Sequence, residues 1–402
     1  MALTGSLVVG PDRNGRSIAI VDGIVAARAP DGTPTLRCPE GEIVPGAVCA
    51  HTHIYSGLAP YGMPRPAPPP ENFLEILTKI WWRLDKAIDA ESLQAGARDY
   101  VARALLAGTT TLIDHHESPN LIEGSLAILG EACQALGIRA LLCYGATERN
   151  FGRKEAIRGL AECCRVEATP LLRGLIGLHA SFTVSDDTVR EAGDLARDFG
   201  TVLHVHVAED AGDVADAQAR GSAGPLERLL SLGALGPGSI LAHGVHLSAD
   251  QVRVADAHSC WFVHNPRSNE GNRVGYARML SHSTRVALGT DGWNADMVEE
   301  ESALARLAAQ NEDAGISGRL AAGHRLVAER FGAHPEPLAP GAVGDLVVRK
   351  NGEVCHVVVG GRPAVFDGLL VNGNLDSIAE AARTQAARLW TRMGNDLTGW
   401  KA

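Results

Sequence analysis

Three observations predict an α/β chain folded as a (β/α)8 TIM barrel, with a small β-sandwich domain formed by its N- and C-terminal segments. Eight short apolar runs alternate with amphipathic helical stretches through most of the 402 residues, the pattern of parallel strands joined by crossover helices. β-type runs broken by Asp-Gly and Asn-Gly turns return at both ends of the chain. Nearly every polar motif follows the end of one of the eight runs, and that is the face on which such barrels carry their chemistry.

In chain order, residues 1–44 hold Ser6-Leu-Val-Val-Gly and Ser17-Ile-Ala-Ile-Val-Asp-Gly-Ile-Val, the first part of the small β-domain. The barrel is expected over residues 45–337. Its opening strand is the stretch Val44-Pro-Gly-Ala-Val-Cys-Ala-His51-Thr-His53. The other runs are Thr109 to Asp114, Arg139 to Tyr144, Leu172 to Leu178, Thr201 to His206, Ser239 to His243, Cys260 to His264 and Arg285 to Gly289. A helix over Glu91 to Ala107 is closed by Gly108, which supplies a left-handed cap before the second strand.

After His53 the chain is longer than a barrel unit requires. A proline-rich stretch from Pro60 to Pro70 leads into a helix in which Phe73, Leu77, Ile80, Trp81 and Leu84 recur at helical spacing. That spacing predicts an extra packed helix, with Tyr61 or Trp82 offering a lid over the barrel mouth. Residues 338–372, with Asp345-Leu-Val-Val-Arg and Val354-Cys-His-Val-Val-Val, complete the small β-domain, and residues 373–402 form a C-terminal helix.

Composition narrows the function. Hydrophobic residues make up 45% and charged residues 21%, with a net charge of -10 and a pI near 5.8. Such a chain presents no basic field for phosphates or anionic lipid, so nucleic-acid and membrane partners are disfavoured and a small-molecule substrate is expected. Eight cysteines lack any C-x-x-C pair. Sparse, unpatterned cysteines and no signal segment point to the cytoplasm.

The chemistry is carried by histidines. Side chains of a strand alternate faces, so His51 and His53 leave on one side, about 6.5 Å apart along it, within reach of one metal ion. His206 ends the fifth run with Glu209 three residues beyond, His243 ends the sixth, and Asp291 follows the eighth. His204 shares the face of His206 one layer deeper and reads as a core residue. Neutral imidazoles with one carboxylate on strand ends make an open site for one divalent cation, Zn2+ first, with Fe2+ or Mn2+ also accepted by such ligands. A cation of this kind lowers the pKa of its water to about 7 and makes hydroxide available at neutral pH.

The opening Pro-Gly-x-x-x-x-His-x-His, His206-x-x-Glu209, the His243 strand, His264-Asn-Pro-Arg-Ser-Asn269 and Gly289-Thr-Asp291 resemble the amidohydrolase superfamily, in its branch of mononuclear deaminases and chlorohydrolases. Within it the chain is most similar to the SsnA-like aminohydrolases, on Asn72-Phe-Leu-Glu-Ile-Leu, Trp81-Trp-Arg-Leu-Asp, Asp114-His-His-Glu-Ser-Pro, Gly177-Leu-His-Ala-Ser-Phe-Thr and Gly271-Asn-Arg-Val-Gly.

The resemblance implies His51, His53, His206 and Asp291 as metal ligands, Glu209 as proton shuttle, His243 as the residue that orients water, and His179 facing substrate. Asp291 thus serves both as ligand and in catalysis. The binuclear members' lysine is missing from Leu172 to Ala180, which implies one metal. His116, Arg149, Asn265, Asn269 and Trp293, all near strand ends, are further candidates for substrate contact. Arg149 has a surface ion pair with Glu148 as its alternative role.

The implied activity is hydrolytic deamination of an amino-substituted N-heterocycle, such as a purine or pterin, by metal-bound hydroxide with release of ammonia. Hydrolysis of a cyclic amide or imide, dechlorination on the same scaffold, and a non-catalytic metal-binding protein stand as alternatives. A homodimer is implied only at the level of the family.

Overall fold

A computed structural model describes residues 3–395; the remainder of the expected C-terminal helix, 396–402, lies outside the described residues. Eight parallel strands form the central sheet: β1 (Ala47–Thr52), β2 (Thr109–His116), β3 (Arg139–Ala146), β4 (Ile176–Ala180), β5 (Leu203–Val207), β6 (Ile240–His243), β7 (Trp261–His264) and β8 (Val286–Leu288). They lie in sequential order, each hydrogen-bonded to the next. A parallel bridge between Thr52 and Asp291 joins the last strand's end to the first. The sheet is therefore the expected (β/α)8 barrel.

Local chemistry sets the elements. The helix Ala90–Leu106 starts at a capping box, where Asp89 Oδ1 accepts from Ser92 N at 2.9 Å and Ser92 Oγ accepts from Asp89 N at 3.0 Å. Reciprocal bonds of this kind satisfy two otherwise orphaned donors. Gly108, at φ 91°, turns the chain into β2. The run from Leu172 is interrupted at Leu175: Leu172–Gly174 pairs with β3 alone, and Ile176–Ala180 continues into the barrel.

The barrel seam is close-packed. Thr290 N and Asp291 N both donate to His51 O, at 2.9 and 3.1 Å, and His53 N donates to Asp291 O at 3.0 Å. Gly289 permits this approach, since a Cβ there would lie 2.6 Å from His51 O. Helix Arg319–Phe331 covers the seam, and Gly323 lets it sit against Val48, 2.8 Å from where a Cβ would be.

The chain ends form two small sheets. Ser6–Val9, Ile18–Val21, Ile24–Ala26 and Thr35–Leu36 make one, and Glu42–Pro45 with Leu346–Lys350, Glu353–Val359, Arg362–Phe366 and Leu369–Leu370 makes the other, which is antiparallel. Val9, Ile20, Ile43, Leu346 and Val358 pack into one core between them. This is the expected sandwich from both ends. Helix Leu375–Asn395 returns to the barrel, where Trp390 Nε1 donates to Tyr61 O at 3.0 Å.

The inserted stretch after His53 is not one regular helix. Asn72 caps Phe73–Ile76, a π-helical turn runs over Leu77–Trp81, and Trp82–Ala87 resumes α geometry. The extra residue per turn rotates Trp81 and Trp82 toward the barrel mouth while Leu84 stays fully buried. Tyr61 takes no part in a lid: its hydroxyl donates to Asp99 Oδ1 at 2.8 Å.

One buried ion pair ties barrel to sandwich. Arg139 Nε and Nη2 donate to Asp345 Oδ2 and Oδ1 at 2.7 and 2.8 Å, with side-chain exposures of 2% and 4%. Gly360 N also donates to Asp345 Oδ1 at 2.8 Å. Removing one partner of such a pair strands the other in the interior. Urea unfolding of Asp345→Ala is expected to show a loss of about 3–5 kcal/mol; a loss under about 1 kcal/mol, as for a surface pair, would contradict this role.

Candidate metal centre

The strand ends bring the predicted histidines to one point. Alternation along β1 sends His51 and His53 to the same side, and β5 delivers His206 with His204 one layer deeper. His243 and Asp291 sit just where β6 and β8 give way to loops, at φ 72° and 52°. Left-handed backbone at non-glycine residues costs of order 1–3 kcal/mol each and persists only where surroundings enforce it. Here it aims both side chains into the barrel mouth.

Each imidazole is held by one nitrogen. His206 Nδ1 donates to His179 O at 2.6 Å, His53 Nδ1 to His115 O at 2.5 Å, and His243 Nδ1 to Asn269 Oδ1 at 2.8 Å. His51 Nδ1 meets His204 Nε2 at 2.9 Å, which gives the deeper histidine a supporting role. Anchoring Nδ1 aims each Nε2 inward; that of His53 carries a proton toward Asp291 Oδ1, which a bound cation would displace.

Those nitrogens surround a carboxylate. Asp291 Oδ1 lies 2.8 Å from His53 Nε2, 3.2 Å from His51 Nε2 and 4.0 Å from His243 Nε2, while its Oδ2 accepts from Ser268 Oγ. His206 Nε2 is 3.3 Å from His53 Nε2. Ligand atoms of His51, His206, His243 and Asp291 all fall within 4.8 Å of one another. His243 Nε2 is buried without a hydrogen-bond partner.

Electrostatics point the same way. Burial opposes charge on His53, yet the Asp291 carboxylate outweighs it and raises the imidazole to about 9. Burial would also raise Asp291, but the surrounding histidines hold it well below the usual carboxylate range. Burial keeps His51 and His206 well below 6.5, hence neutral and able to donate lone pairs. A fixed negative charge ringed by converging imidazole nitrogens, with an orphaned Nε2 among them, fits one divalent cation, which would take the place of the proton that Asp291 holds on His53.

Beside this point opens a cavity of about 420 Å³. Glu209 lines it, its Oε2 3.7 Å from His243 Nε2. Burial, reinforced by Asp291, pushes the Glu209 carboxyl well above the ordinary range. Phe73, Leu77, Trp81, Trp82 and Phe182 supply an apolar wall.

The expected substrate-contact residues divide. His179 lines the cavity, with Nδ1 3.1 Å from Thr183 Oγ1. His116 does not: its Nε2 bonds Ser118 Oγ at 2.8 Å behind Tyr55. Asn269 and Asn265 sit on His243, Asn265 Nδ2 lying 3.4 Å from its Nδ1. Trp293 packs over Gly271, outside the cavity lining.

Arg149 is buried behind the lining and pairs with Asp85 and Glu117; Glu148 instead accepts from Ser185 and Thr188, so the two neighbours form no ion pair with each other. Asp85, Glu117, Asp210 and Asp213 line the cavity and were given no role by sequence reasoning. The signal present was position: Glu117 directly follows the strand-ending His115-His116, and Asp210 directly follows Glu209.

Comparison with known proteins agrees with this geometry. The chain is 28% identical to the 5'-deoxyadenosine deaminase of Methanopyrus kandleri, with 86% of each chain covered. It is 26% identical to a 5-methylthioadenosine/S-adenosylhomocysteine deaminase of Syntrophobacter fumaroxidans over 95% of this chain and 97% of that one. An adenosine deaminase from Xanthomonas campestris with bound zinc has the same fold, at TM-score 0.79 and 23% identity, covering 96% of this chain and 99% of its own. Residues 43–373 match the model of the amidohydrolase family, and the chain belongs to that family.

Proposed function

We propose that the chain is a metal-dependent hydrolase that deaminates an amino-substituted N-heterocycle, with release of ammonia. The observation that carries this is Glu209, a carboxyl at the cavity wall 3.7 Å from His243 and next to the cation site, which burial pushes above the usual carboxylate range. Ammonia cannot leave as an amide anion, so deamination needs a proton donor at that place. The deaminase names of the curated relatives support the same reading.

His51, His53, His206 and Asp291 would hold the cation, taken to be Zn2+, with His243 beside them. When bound, the cation supplies water acidified to a pKa of about 7. The chain's own residues do the rest. Phe73, Trp81, Trp82 and Phe182 enclose a planar ring and keep bulk water from it. His179 presents an imidazole nitrogen to the ring's edge. Glu209 Oε2 gives its proton to the ring nitrogen beside the reacting carbon, takes one proton of the attacking water and passes it to the departing amine, and is restored by the second proton of that water. His243, held by Asn269 Oδ1, orients that water. In balance, ring N=C–NH2 and water become ring HN–C=O and ammonia.

The finer kinship with SsnA-like aminohydrolases belongs to this proposal, supported by Trp81-Trp-Arg-Leu-Asp85 and Asp114-His-His-Glu117, whose final carboxylates both line the cavity. So do the unit boundaries at residues 45, 338 and 373. A cytoplasmic setting is supported by eight free cysteines; no described helix is long and apolar enough to cross a membrane.

Two experiments test the reading. Ser268→Ala removes the donor to Asp291 Oδ2 and Asn269→Ala the acceptor for His243. Ser268→Ala is expected to weaken zinc affinity about 10- to 100-fold in competition with a chromogenic chelator, and unchanged affinity would contradict the ligand assignment; Asn269→Ala is expected to lower turnover with zinc affinity unchanged. Ammonia release from a panel of aminopurines, pterins and aminopyrimidines tests the reaction. Glu209→Gln should lower turnover by at least about 100-fold while leaving bound metal unchanged, and product mass should show NH exchanged for O. A product heavier by a whole water would instead indicate ring opening.

A further inference from the structure

The ionisable side chains of the cavity wall are mostly acidic. Asp85, Glu117, Asp210 and Asp213 line it in addition to Glu209 and Asp291, and among the described residues no lysine or arginine does. Arg149 stands just behind, but its charge is already shared. Its Nη2 donates to Asp85 Oδ2 at 3.2 Å and to Glu117 Oε2, and the guanidinium lies over the Trp82 ring at 4.7 Å with the side chain 7% exposed. Two carboxylates on one guanidinium leave no positive charge to spare.

The second oxygen of Glu117 has no hydrogen-bond partner within reach. Oε1 is 3.6 Å from His179 Nε2 and 3.8 Å from His115 Nδ1. His115 spends its one N–H on Leu178 O, at 3.0 Å from Nε2, so its buried Nδ1 is a lone pair with no partner. This part of the wall is built to receive hydrogen-bond donors. Burial raises Glu117 to about 8 and Asp213 to about 7, yet neither protonation state supplies positive charge. With His53 neutral as a ligand, the bound cation would be the source of positive charge, and Asp291 would offset half of it.

We propose that this wall makes the site selective by charge, admitting heterocycles whose substituents are neutral or cationic and rejecting those that carry a carboxylate or phosphate. An anion in a part-buried cavity that offers no lysine or arginine bears the cost of desolvation, together with repulsion from those carboxylates that are ionised. The inference rests on the deaminase reading of the same site and narrows its substrate class.

The test uses three adenine nucleosides that differ at the 5' position: 5'-methylthioadenosine (neutral), 5'-amino-5'-deoxyadenosine (cationic) and adenosine 5'-monophosphate (anionic). Binding to the zinc-loaded protein is read by quenching of tryptophan fluorescence, and ammonia release is measured in parallel. The monophosphate is expected to bind at least about tenfold more weakly than the neutral nucleoside at low salt, with the cationic one equal or tighter. Asp210→Asn, which keeps an acceptor for Gly212 N, should narrow the gap. Equal or tighter binding of the monophosphate, or no binding of any of the three, overturns the proposal. The expected binding order without ammonia supports charge selection and overturns the deaminase reading alone. Ammonia from all three at equal kcat/KM overturns charge selection alone.

Discussion

Closure of the barrel puts the backbone of His51 and His53 against that of Asp291, and the site depends on that contact. Three hydrogen bonds cross the seam there, in the space that Gly289 leaves open. The same peptides that close the sheet carry two of the imidazoles and the carboxylate. Fold and site are therefore not separable at this point: a shift in the register of the seam would move His53 Nε2 away from Asp291 Oδ1, now 2.8 Å apart.

Around the seam, second partners fix what the first residues can do. Backbone carbonyls hold His53 and His206, Asn269 holds His243, His204 holds His51, and Ser268 holds the far oxygen of Asp291. Each bond removes a tautomer and directs a lone pair. The resulting pocket has an excess of electron density that burial makes costly unless a cation answers it. Glu209 lies within the same field, and burial together with the Asp291 charge pushes its carboxyl upward. Ligand set and proton donor are thus tuned by one carboxylate.

Much of this was legible in the sequence because it follows from short-range rules. Alternation along a strand puts His51 with His53, and the apolar runs locate all eight strands. What was missed depends on tertiary placement. Asn265 and Asn269 stand in the loop after β7, where substrate contact is the simple expectation, but helix Pro266–Gly271 turns them onto His243. The partners of Arg149 come from the loop after β2 and from the inserted segment, whose π-helical turn no periodicity announces. The same turn brings Trp81 and Trp82 to the cavity from a helix that spacing reads as packing. Glu117 and Asp85 were visible as residues beside motifs, but their role needs the cavity.

The central claim is one cation held by imidazole nitrogens and a carboxylate at the seam. X-ray absorption at the zinc edge of the zinc-loaded protein tests it most directly. The account predicts a first shell of nitrogen and oxygen alone, outer-shell scattering from the imidazoles of His51, His53 and His206, and no metal-metal vector. Sulfur in the first shell, from any of the eight cysteines, or a second metal at short distance would contradict it.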